Sequence, residues 1–387
     1  YAVPEGTVVF PGEPLLRFHG TTTEAMLLET GLSMIMNHES LIATKARRVR
    51  TVAPKDALME FGLRRAQGHS AGLWGARAAM IGGFNGTSNV EAGKQFGIPV
   101  LGTMAHSWVM SFEEEIDAFR EYAGQYHDNL ILLADTYNVL EMGVPHAIQV
   151  FKELKEEGRL PGKYGIRIDS GDIAYLSQEA TRMFTEAGFP DAIISGSNDL
   201  DEYTIQSLKA QGCTVTSWGV GTKIITADGT SALGGVFKMA VKEADGEEIP
   251  VMKFSNDVEK MTNPGIKTVY RFYKKDTGKM ITDLVCLHDE KAADGGDFTL
   301  VTESAKWRRK ELKAGTYTVE ELLRPVVENG RNLPLPALPE IIRYANTQMD
   351  TLWPEYTRLL NPDLMEINLS DKLQALKSEL IRRELGE

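Results

Sequence analysis

Residues 164–172 read Tyr164-Gly165-Ile166-Arg167-Ile168-Asp169-Ser170-Gly171-Asp172. A strand-like run ends abruptly in small and acidic residues, and an amphipathic stretch at 178–187 follows at helical spacing. This is the pattern of one βα unit, with a buried strand and a polar cluster at its carboxyl end. Working outward, the pattern recurs. Ala57-Leu58-Met59-Glu60-Phe61-Gly62 runs into Leu63-Arg64-Arg65-Ala66-Gln67-Gly68, and Phe84-Asn85 into Gly86-Thr87-Ser88-Asn89. Ile98-Pro99-Val100-Leu101 runs into Gly102-Thr103-Met104-Ala105-His106, and the run 129–134 into Asp135-Thr136-Tyr137. Ala192-Ile193-Ile194 leads to Ser195-Gly196-Ser197-Asn198-Asp199, and Thr214-Val215-Thr216-Ser217-Trp218 to Gly219-Val220-Gly221-Thr222. Helical patterns at 112–126 and 145–157 fill two of the gaps. Seven alternating units predict a parallel sheet closed into an α/β barrel, whose chemistry lies at the carboxyl ends of its strands.

The flanks read differently. Residues 1–20 predict two short strands joined by the turn Pro11-Gly12-Glu13-Pro14. A helix capped by Thr23 is expected from Glu24 through Met36, and a second near 41–52. After residue 223 the rhythm stops, and antiparallel strands are expected at 237–242, 250–254, 268–274 and 280–287, with Asp276-Thr277-Gly278 as a hairpin turn. Beyond Thr318, short helices broken by Pro325, Pro334, Pro336 and Pro339 precede a final helix at 371–385 capped by Ser370. The expected domains are a small β-rich domain from 1–20 and 235–310, a helical connection at 21–56, the barrel with its site at 57–234, and a C-terminal helical extension at 311–387.

Composition narrows the function. The chain has 387 residues and a net charge of −12, without a strongly basic run, so nucleic acid is not an expected partner. Only Cys213 and Cys286 are present, well separated, which disfavours a disulfide framework and suits a reducing, cytoplasmic compartment. No apolar run reaches membrane length, and no signal peptide is evident. The opening Tyr1-Ala2-Val3-Pro4-Glu5-Gly6 lacks an initiator Met and reads like the middle of a strand-and-turn region, so an upstream segment is expected. A Walker loop, GxGxxG after a strand, HExxH and GxSxG are all missing, which weighs against hydride transfer on a Rossmann-type fold and against zinc hydrolysis.

What the strand ends do offer is anion-binding chemistry. Gly219, Gly221 and Thr222 let backbone N–H groups approach a phosphate, and Gly196, Ser197 and Asn198 stand just before a helix start. A tight βα turn without ligand explains either loop alone; two in successive units favour phosphate. Arg64 and Arg65 present planar forks suited to carboxylate or phosphate, against the plainer reading of surface salt bridges. Asp169, Ser170 and Asp172 could hold ribose hydroxyls or Mg²⁺, or cap a helix, and Asp135 could play a similar part. His106, at a barrel rim, is a candidate base, metal ligand or phosphate carrier; the other six histidines, His146 among them, read as structural or solvent-facing.

Five motifs in this order, 61–68, 86–90, 102–108, 168–172 and 219–222, make the chain resemble the nicotinate phosphoribosyltransferase family, and 368–373 reads similarly. The resemblance implies the type II phosphoribosyltransferase fold, an irregular α/β barrel with a smaller α/β or β-rich domain built from both chain ends. It implies conversion of nicotinate and phosphoribosyl pyrophosphate to nicotinate mononucleotide and pyrophosphate in NAD salvage, with Mg²⁺. ATP would be hydrolysed alongside through a phosphohistidine, a ligase-like coupling, and His106 stands at the position that family members phosphorylate. The implied substrate-binding residues are Leu63, Arg64, Gly102, Thr103, Ser107, Asp169, Ser170, Gly196, Ser197, Asn198, Gly219, Gly221 and Thr222. Mg²⁺ would be held mainly by pyrophosphate, near Asp169. Family chains begin earlier, with a Thr-Asp-Leu-Tyr-like segment whose Tyr contributes to the base pocket, and they are commonly homodimers. The alternatives are a nicotinamide phosphoribosyltransferase, a quinolinate phosphoribosyltransferase, which would call for a denser basic pocket, and a non-catalytic nucleotide-sensing remnant.

Overall fold

A computed structural model describes residues 1–254, 261–291, 296–301 and 309–386; the parts of the expected β-rich region at 255–260, 292–295 and 302–308 lie outside them. The chain divides into two compact units, one of residues 36–233 and one of 1–35 with 234–387.

The 36–233 unit is built on a six-stranded sheet. Its strands are β1 (Ala57–Glu60), β2 (Gly86–Thr87), β3 (Leu130–Leu133), β4 (Tyr164–Ile168), β5 (Ile193–Gly196) and β6 (Ser217–Val220). The order is β2-β1-β6-β5-β4-β3, and every pairing is parallel. The β1–β6 pairing joins the first strand to the last, which is the step that curls a βα series towards a barrel.

The seventh expected strand, at 98–101, is reduced to one bridge between Thr87 and Val100, flanked by Thr87 N–Pro99 O and Leu101 N–Thr87 O bonds of 3.0 and 2.9 Å. Pro99 has no N–H to donate, so a ladder cannot continue through it. The sheet therefore stays an incomplete barrel, with the ladder open between this segment and β3.

Leu58, Leu130, Leu132, Ile166, Ile168, Ile194, Trp218 and Val220 form the inner core, and Phe119, Phe151 and Phe184 bring helices onto it. β4 is buried at all five positions, as expected of a strand covered on both faces. Each such large side chain stabilises the fold by roughly 1.5–3 kcal/mol relative to exposure. Helices at Val144–Glu156 and Ile173–Glu186 match their expected positions within a few residues, and the helix expected at 112–126 spans Glu115–Gln125.

The second unit contains the hairpins β7 (Val241–Ala244)–β8 (Glu247–Pro250), β11 (Phe298–Val301)–β12 (Arg309–Leu312) and β14 (Val327–Glu328)–β15 (Arg331–Asn332). Its main sheet has the order β13-β9-β10-β16, from β9 (Lys267–Lys274), β10 (Met280–Leu287), β13 (Tyr317–Glu321) and β16 (Ile367–Leu369). The stretch 311–387 is thus not only a helical extension, because it supplies β13 and β16 to the sheet that β9 and β10 begin. Tyr317 packs with Phe272 and Leu284, and Leu369 with Val269 and Val285, so burial draws these short strands in. The final helix, Asp371–Leu385, is capped by Ser370 as expected.

Three local expectations fail. The strands expected at 237–242 and 250–254 are displaced to Val241–Ala244 and Glu247–Pro250, closing a hairpin on the turn Asp245-Gly246. Residues 1–20 form isolated bridges from Ala2 to Leu16 and Arg324 rather than two strands, and three prolines there remove donors. Residues 22–52 form a single helix, Thr22–Val52, since no proline separates the two expected stretches. Its cap is Thr21, whose Oγ1 accepts from Glu24 N at 3.3 Å while Glu24 Oε2 accepts from Thr21 N at 2.9 Å.

Candidate active site

The polar clusters converge. β3 delivers Asp135, whose side chain is only 1% exposed. Asp135 Oδ2 accepts from Asp169 N at 3.0 Å and from Ser170 Oγ at 2.6 Å, which ties the loop after β4 to the end of β3. Asp135 Oδ1 lies 3.1 Å from His106 Nε2. A buried carboxylate on one ring nitrogen fixes the imidazole's orientation and favours the tautomer with its proton on Nε2. Nδ1 is then the nitrogen left with a free lone pair, on a side chain 41% exposed.

Arg167 is the second hub. Its Nη1 donates to Asp169 Oδ1 at 2.8 Å and to Ser197 Oγ at 2.9 Å, and its Nη2 donates to Met104 O at 2.8 Å. Ser197 Oγ in turn donates to Asp169 Oδ1. Arg167 Nε is buried without a hydrogen-bond partner. Both hubs reach across the open side of the barrel: Met104 and His106 follow the 98–101 segment, while Asp135 follows β3 and Arg167 lies within β4. Side chains make the connection there that the backbone ladder omits.

The other strand ends continue the ring. Glu60, at the end of β1, is wholly buried; its Oε1 accepts from Gly62 N and its Oε2 from Thr87 Oγ1 at 2.6 Å. Burial pushes its carboxyl above the usual carboxylate range, against the pull of those two bonds. This fixes the turn at 61–62, from which the 3₁₀ helix Leu63–Arg65 leaves. A Cβ on Gly219 would lie 2.8 Å from the Phe61 ring and 3.3 Å from Ser197 Cβ, and one on Gly221 would lie 2.9 Å from Phe61 O. These glycines therefore have a packing reason to be small, in addition to any approach to an anion.

The expected residues fare as follows. His106, Asp169, Ser170 and Ser197 lie in one hydrogen-bonded network with Asp135 and Arg167. Gly196, Gly219 and Gly221 line the adjoining strand ends, and Thr222 opens the short helix Thr222–Ile225. Leu63, Arg64, Gly102, Thr103, Ser107 and Asn198 are exposed on the surrounding loops. Arg64 makes no hydrogen bond or ion pair with the described residues.

Ser197 differs from expectation, because its hydroxyl is committed to Asp169 and Arg167 and the residue is buried. Its neighbours Asn198 and Asp199 hold φ of 85° and 42°, a strained turn that turns the exposed part of this loop outward. Asp172, not Ser170, is the cap of the following helix, through Tyr175 N at 3.0 Å. Sequence reading passed over Arg167 and Glu60; the available signal was a charged residue inside each otherwise apolar strand. A cavity of about 840 Å³ lined by Lys274, Lys310, Trp353 and Tyr356 belongs to the β-rich unit and brings together none of this chemistry.

Residues 57–290 match the model of the nicotinate phosphoribosyltransferase (NAPRTase) family, and residues 266–377 match that of the nicotinate phosphoribosyltransferase C-terminal domain. The chain is 41% identical over 385 residues to the nicotinate phosphoribosyltransferase of Bacillus subtilis (strain 168), covering 98% of this chain and 77% of that one. It is 33% identical over 434 residues to the Homo sapiens nicotinate phosphoribosyltransferase, covering 98% and 79%. The crystal structure of human nicotinic acid phosphoribosyltransferase superposes with a TM-score of 0.84 at 31% identity, over 98% of this chain and 81% of that one. The nicotinate-nucleotide pyrophosphorylase of Pyrococcus furiosus, at 24% identity and a TM-score of 0.70, shares the fold. With its strand-end network in place and more than half its length matched by the family model, this chain belongs to the nicotinate phosphoribosyltransferase family.

Proposed function

We propose that this chain drives nicotinate phosphoribosylation with ATP, passing a phosphoryl group through His106. The reading rests on one observation, the 3.1 Å contact of His106 Nε2 with buried Asp135. Held that way, the ring offers Nδ1 to the γ-phosphorus of ATP. The N–P bond forms as the bond to the β-phosphate oxygen breaks and ADP leaves. The phosphoimidazole keeps its Nε2 proton and becomes cationic, and the Asp135 carboxylate stabilises that charge.

In the transfer itself, the ring nitrogen of nicotinate attacks the ribose C1 while the C1–oxygen bond breaks and pyrophosphate departs. No protein nucleophile is needed, so positioning and charge carry the rate. Asp169, held by Arg167 and Ser197 through Oδ1, keeps Oδ2 for ribose hydroxyls. Gly196, Gly221, Thr222 and the exposed turn at Asn198, at the ends of β5 and β6, would seat the 5′-phosphate. Arg64 is a cation free for the nicotinate carboxylate or the pyrophosphate. Water then cleaves the N–P bond, releasing phosphate and restoring the imidazole.

The donor set suits a Mg²⁺ bound mainly by pyrophosphate oxygens. Among the described residues no group of three or more His, Cys, Asp or Glu could hold a metal alone, and Asp169 Oδ2 is an open carboxylate oxygen at the site. Such an ion would neutralise charge on the departing pyrophosphate.

A homodimer is part of the same reading. On the helix Thr22–Val52, Met26, Leu27, Met34 and Ile35 are exposed, Leu27 by 78%, and an apolar row of this kind suits a second copy. Free Cys213 and Cys286 suit a reducing cytoplasm, and no helix among the described residues is long and apolar enough to cross a membrane.

The test is product formation from nicotinate and from nicotinamide, each with and without ATP, together with acid-labile label on His106 from γ-³²P-ATP. Nicotinate mononucleotide made faster with ATP, and a labelled His106, are expected. Preference for nicotinamide would overturn the substrate, an unlabelled His106 would overturn the coupling, and no product at all would leave a binding protein.

A further inference from the structure

The turn at Asn198, part of the proposed 5′-phosphate seat, is held from two sides. Asn198 and Asp199 adopt φ of 85° and 42° in succession, a left-handed region that residues with a side chain populate sparsely. Upstream, Ser197 is buried and bonded to Arg167 and Asp169. Downstream, Leu200 is buried, and so is Glu202, the first residue of the helix Glu202–Ala210.

Glu202 meets two cations from the helix Thr22–Val52. Lys45 Nζ forms an ion pair with its Oε2 at 2.8 Å, and Arg48 Nε donates to its Oε1 at 2.8 Å. Arg48 Nη2 also donates to the hydroxyl of Tyr203, the next residue, at 2.7 Å. The Glu202 side chain is 2% exposed and that of Lys45 9%, a depth at which Lys and Glu are rarely found unless paired. The helix itself does not need this arrangement. Asp201 already caps it by accepting from Thr204 N at 2.7 Å, and an acidic side chain in the first turn would serve the helix dipole equally well from solvent.

We propose that Glu202, with Lys45 and Arg48, is a positioning residue for phosphoribosyl pyrophosphate: the ion pairs pin the downstream end of the 198–199 turn, so that its strained form stands ready before the 5′-phosphate arrives. The inference rests on the reading of that turn as the phosphate seat. A buried ion pair adds little net stability over an apolar pair of similar volume; what it supplies here is position. Only residues 198–201 lie between the two anchors, so the left-handed pair cannot relax to extended backbone while both hold. Once the downstream anchor is cut, the strained turn is the first part free to relax. Binding must then restore the order that the clamp had supplied in advance. The loss falls on phosphoribosyl pyrophosphate and spares nicotinate, whose ring the turn does not hold.

The experiment is steady-state kinetics on the full chain for wild type, Glu202→Gln, Lys45→Met and Asn198→Asp. Each substrate is varied with the other saturating and ATP fixed. Glu202→Gln and Lys45→Met should raise KM for phosphoribosyl pyrophosphate at least about fivefold and leave KM for nicotinate within about twofold. A merely structural role would lower the folded fraction, and with it the apparent kcat, without moving either KM. An unchanged KM for phosphoribosyl pyrophosphate, or an equal rise for both substrates, therefore overturns the proposal. Asn198→Asp puts a carboxylate into the seat itself and should raise KM for phosphoribosyl pyrophosphate through repulsion. A rise there with wild-type KM in Glu202→Gln and Lys45→Met overturns the clamp and leaves the seat standing. No rise there removes the seat from this turn, and the clamp's purpose with it. If Glu202→Gln does not fold, Lys45→Met decides by the same comparison, since Glu202 then keeps Arg48.

Discussion

Arg167, from within β4, donates to the main-chain oxygen of Met104 at 2.8 Å, across the side of the barrel where the backbone ladder is open. The same guanidinium holds Asp169 and Ser197, so one side chain links three strand-end loops. Replacing it by Gln takes the guanidinium from the buried Met104 carbonyl and from the half-buried Asp169 carboxylate, which keeps only the Ser197 hydroxyl on that oxygen. Removal of one member of a fully buried charged pair costs about 3–5 kcal/mol, and solvent access at Asp169 lowers that here to about 1–3 kcal/mol. Arg167→Gln should lower unfolding stability by an amount of that order and reduce kcat/KM for nicotinate at least about 100-fold. Urea unfolding and steady-state kinetics on the same preparation check both. A variant that keeps wild-type stability would mean the three loops stand without this hub.

Asp135→Asn tests the tautomer argument directly. Asn keeps the size and can still accept from Asp169 N and Ser170 Oγ, but it removes the charge that stabilises a cationic phosphoimidazole and can present N–H to His106 Nε2. In the serine-protease triad the same change lowers kcat by roughly 10⁴-fold through the wrong tautomer. Label incorporation at His106 should fall by roughly 10²–10⁴-fold here. The residual ATP-independent reaction should persist, as it should in His106→Ala. Label unchanged in Asp135→Asn would refute the role given to Asp135.

The regular part of this architecture was legible because each buried parallel strand is an apolar run that stops at a polar turn. His106, the candidate phosphoryl carrier, was legible as a candidate for the same reason, since it sits just past such a run. Its partner was not. Asp135 lies 29 positions from His106, and only the placement of β3 beside the 98–105 segment brings them together. Arg167 and Glu60 were written plainly in their strands, as charges within apolar runs, but their value depends on neighbours that the sequence order does not reveal. His146 read as structural or solvent-facing without a partner in view, because the carboxylate it meets starts a different helix. The short strands β13 and β16 were missed because they join the sheet through long-range pairing with β9 and β10, not through local pattern.

In the β-rich unit, Arg271 donates to both oxygens of Asp283, at 2.8 Å (Nε to Oδ1) and 2.6 Å (Nη2 to Oδ2). Glu13 is also buried there, with its Oε2 3.9 Å from Arg271 Nη2. One cation faces two carboxyl groups. Burial, a shared hydrogen bond with Asp283 and that group's charge push the Glu13 carboxyl up to about 10. Its folded value thus exceeds its unfolded one. Both states hold the proton below about pH 4.5, so nothing is lost there. Above it only the unfolded state releases the proton, and folded stability falls progressively until the folded group also titrates. Glu13→Gln removes that dependence while keeping a donor for Asp283. Between pH 5 and pH 8 the variant should lose at least about 1 kcal/mol less stability than wild type, as read from urea midpoints. Parallel pH curves would mean that Glu13 is ionised in the fold.

Arg64 offers the cleanest separation of function from fold. It is exposed on the turn Leu63–Arg65 and pairs with none of the described residues, so the folded chain does not depend on it. Exposed substitutions of this sort change stability by no more than about 0.5 kcal/mol. Glu60 accepts from Gly62 N immediately before it, which anchors the start of the turn that carries it. An unpaired cation on the turn after β1, at the same carboxyl-terminal end of the parallel sheet as Asp169, is free to meet an anion. Arg64→Ala should therefore keep the wild-type unfolding midpoint while losing roughly 2–5 kcal/mol in kcat/KM. The effect should divide by substrate. If the guanidinium meets the nicotinate carboxylate, KM for nicotinate rises and that for phosphoribosyl pyrophosphate does not; if it meets the pyrophosphate, the reverse holds. A loss below about tenfold, or about 1.4 kcal/mol, in both would remove Arg64 from the site.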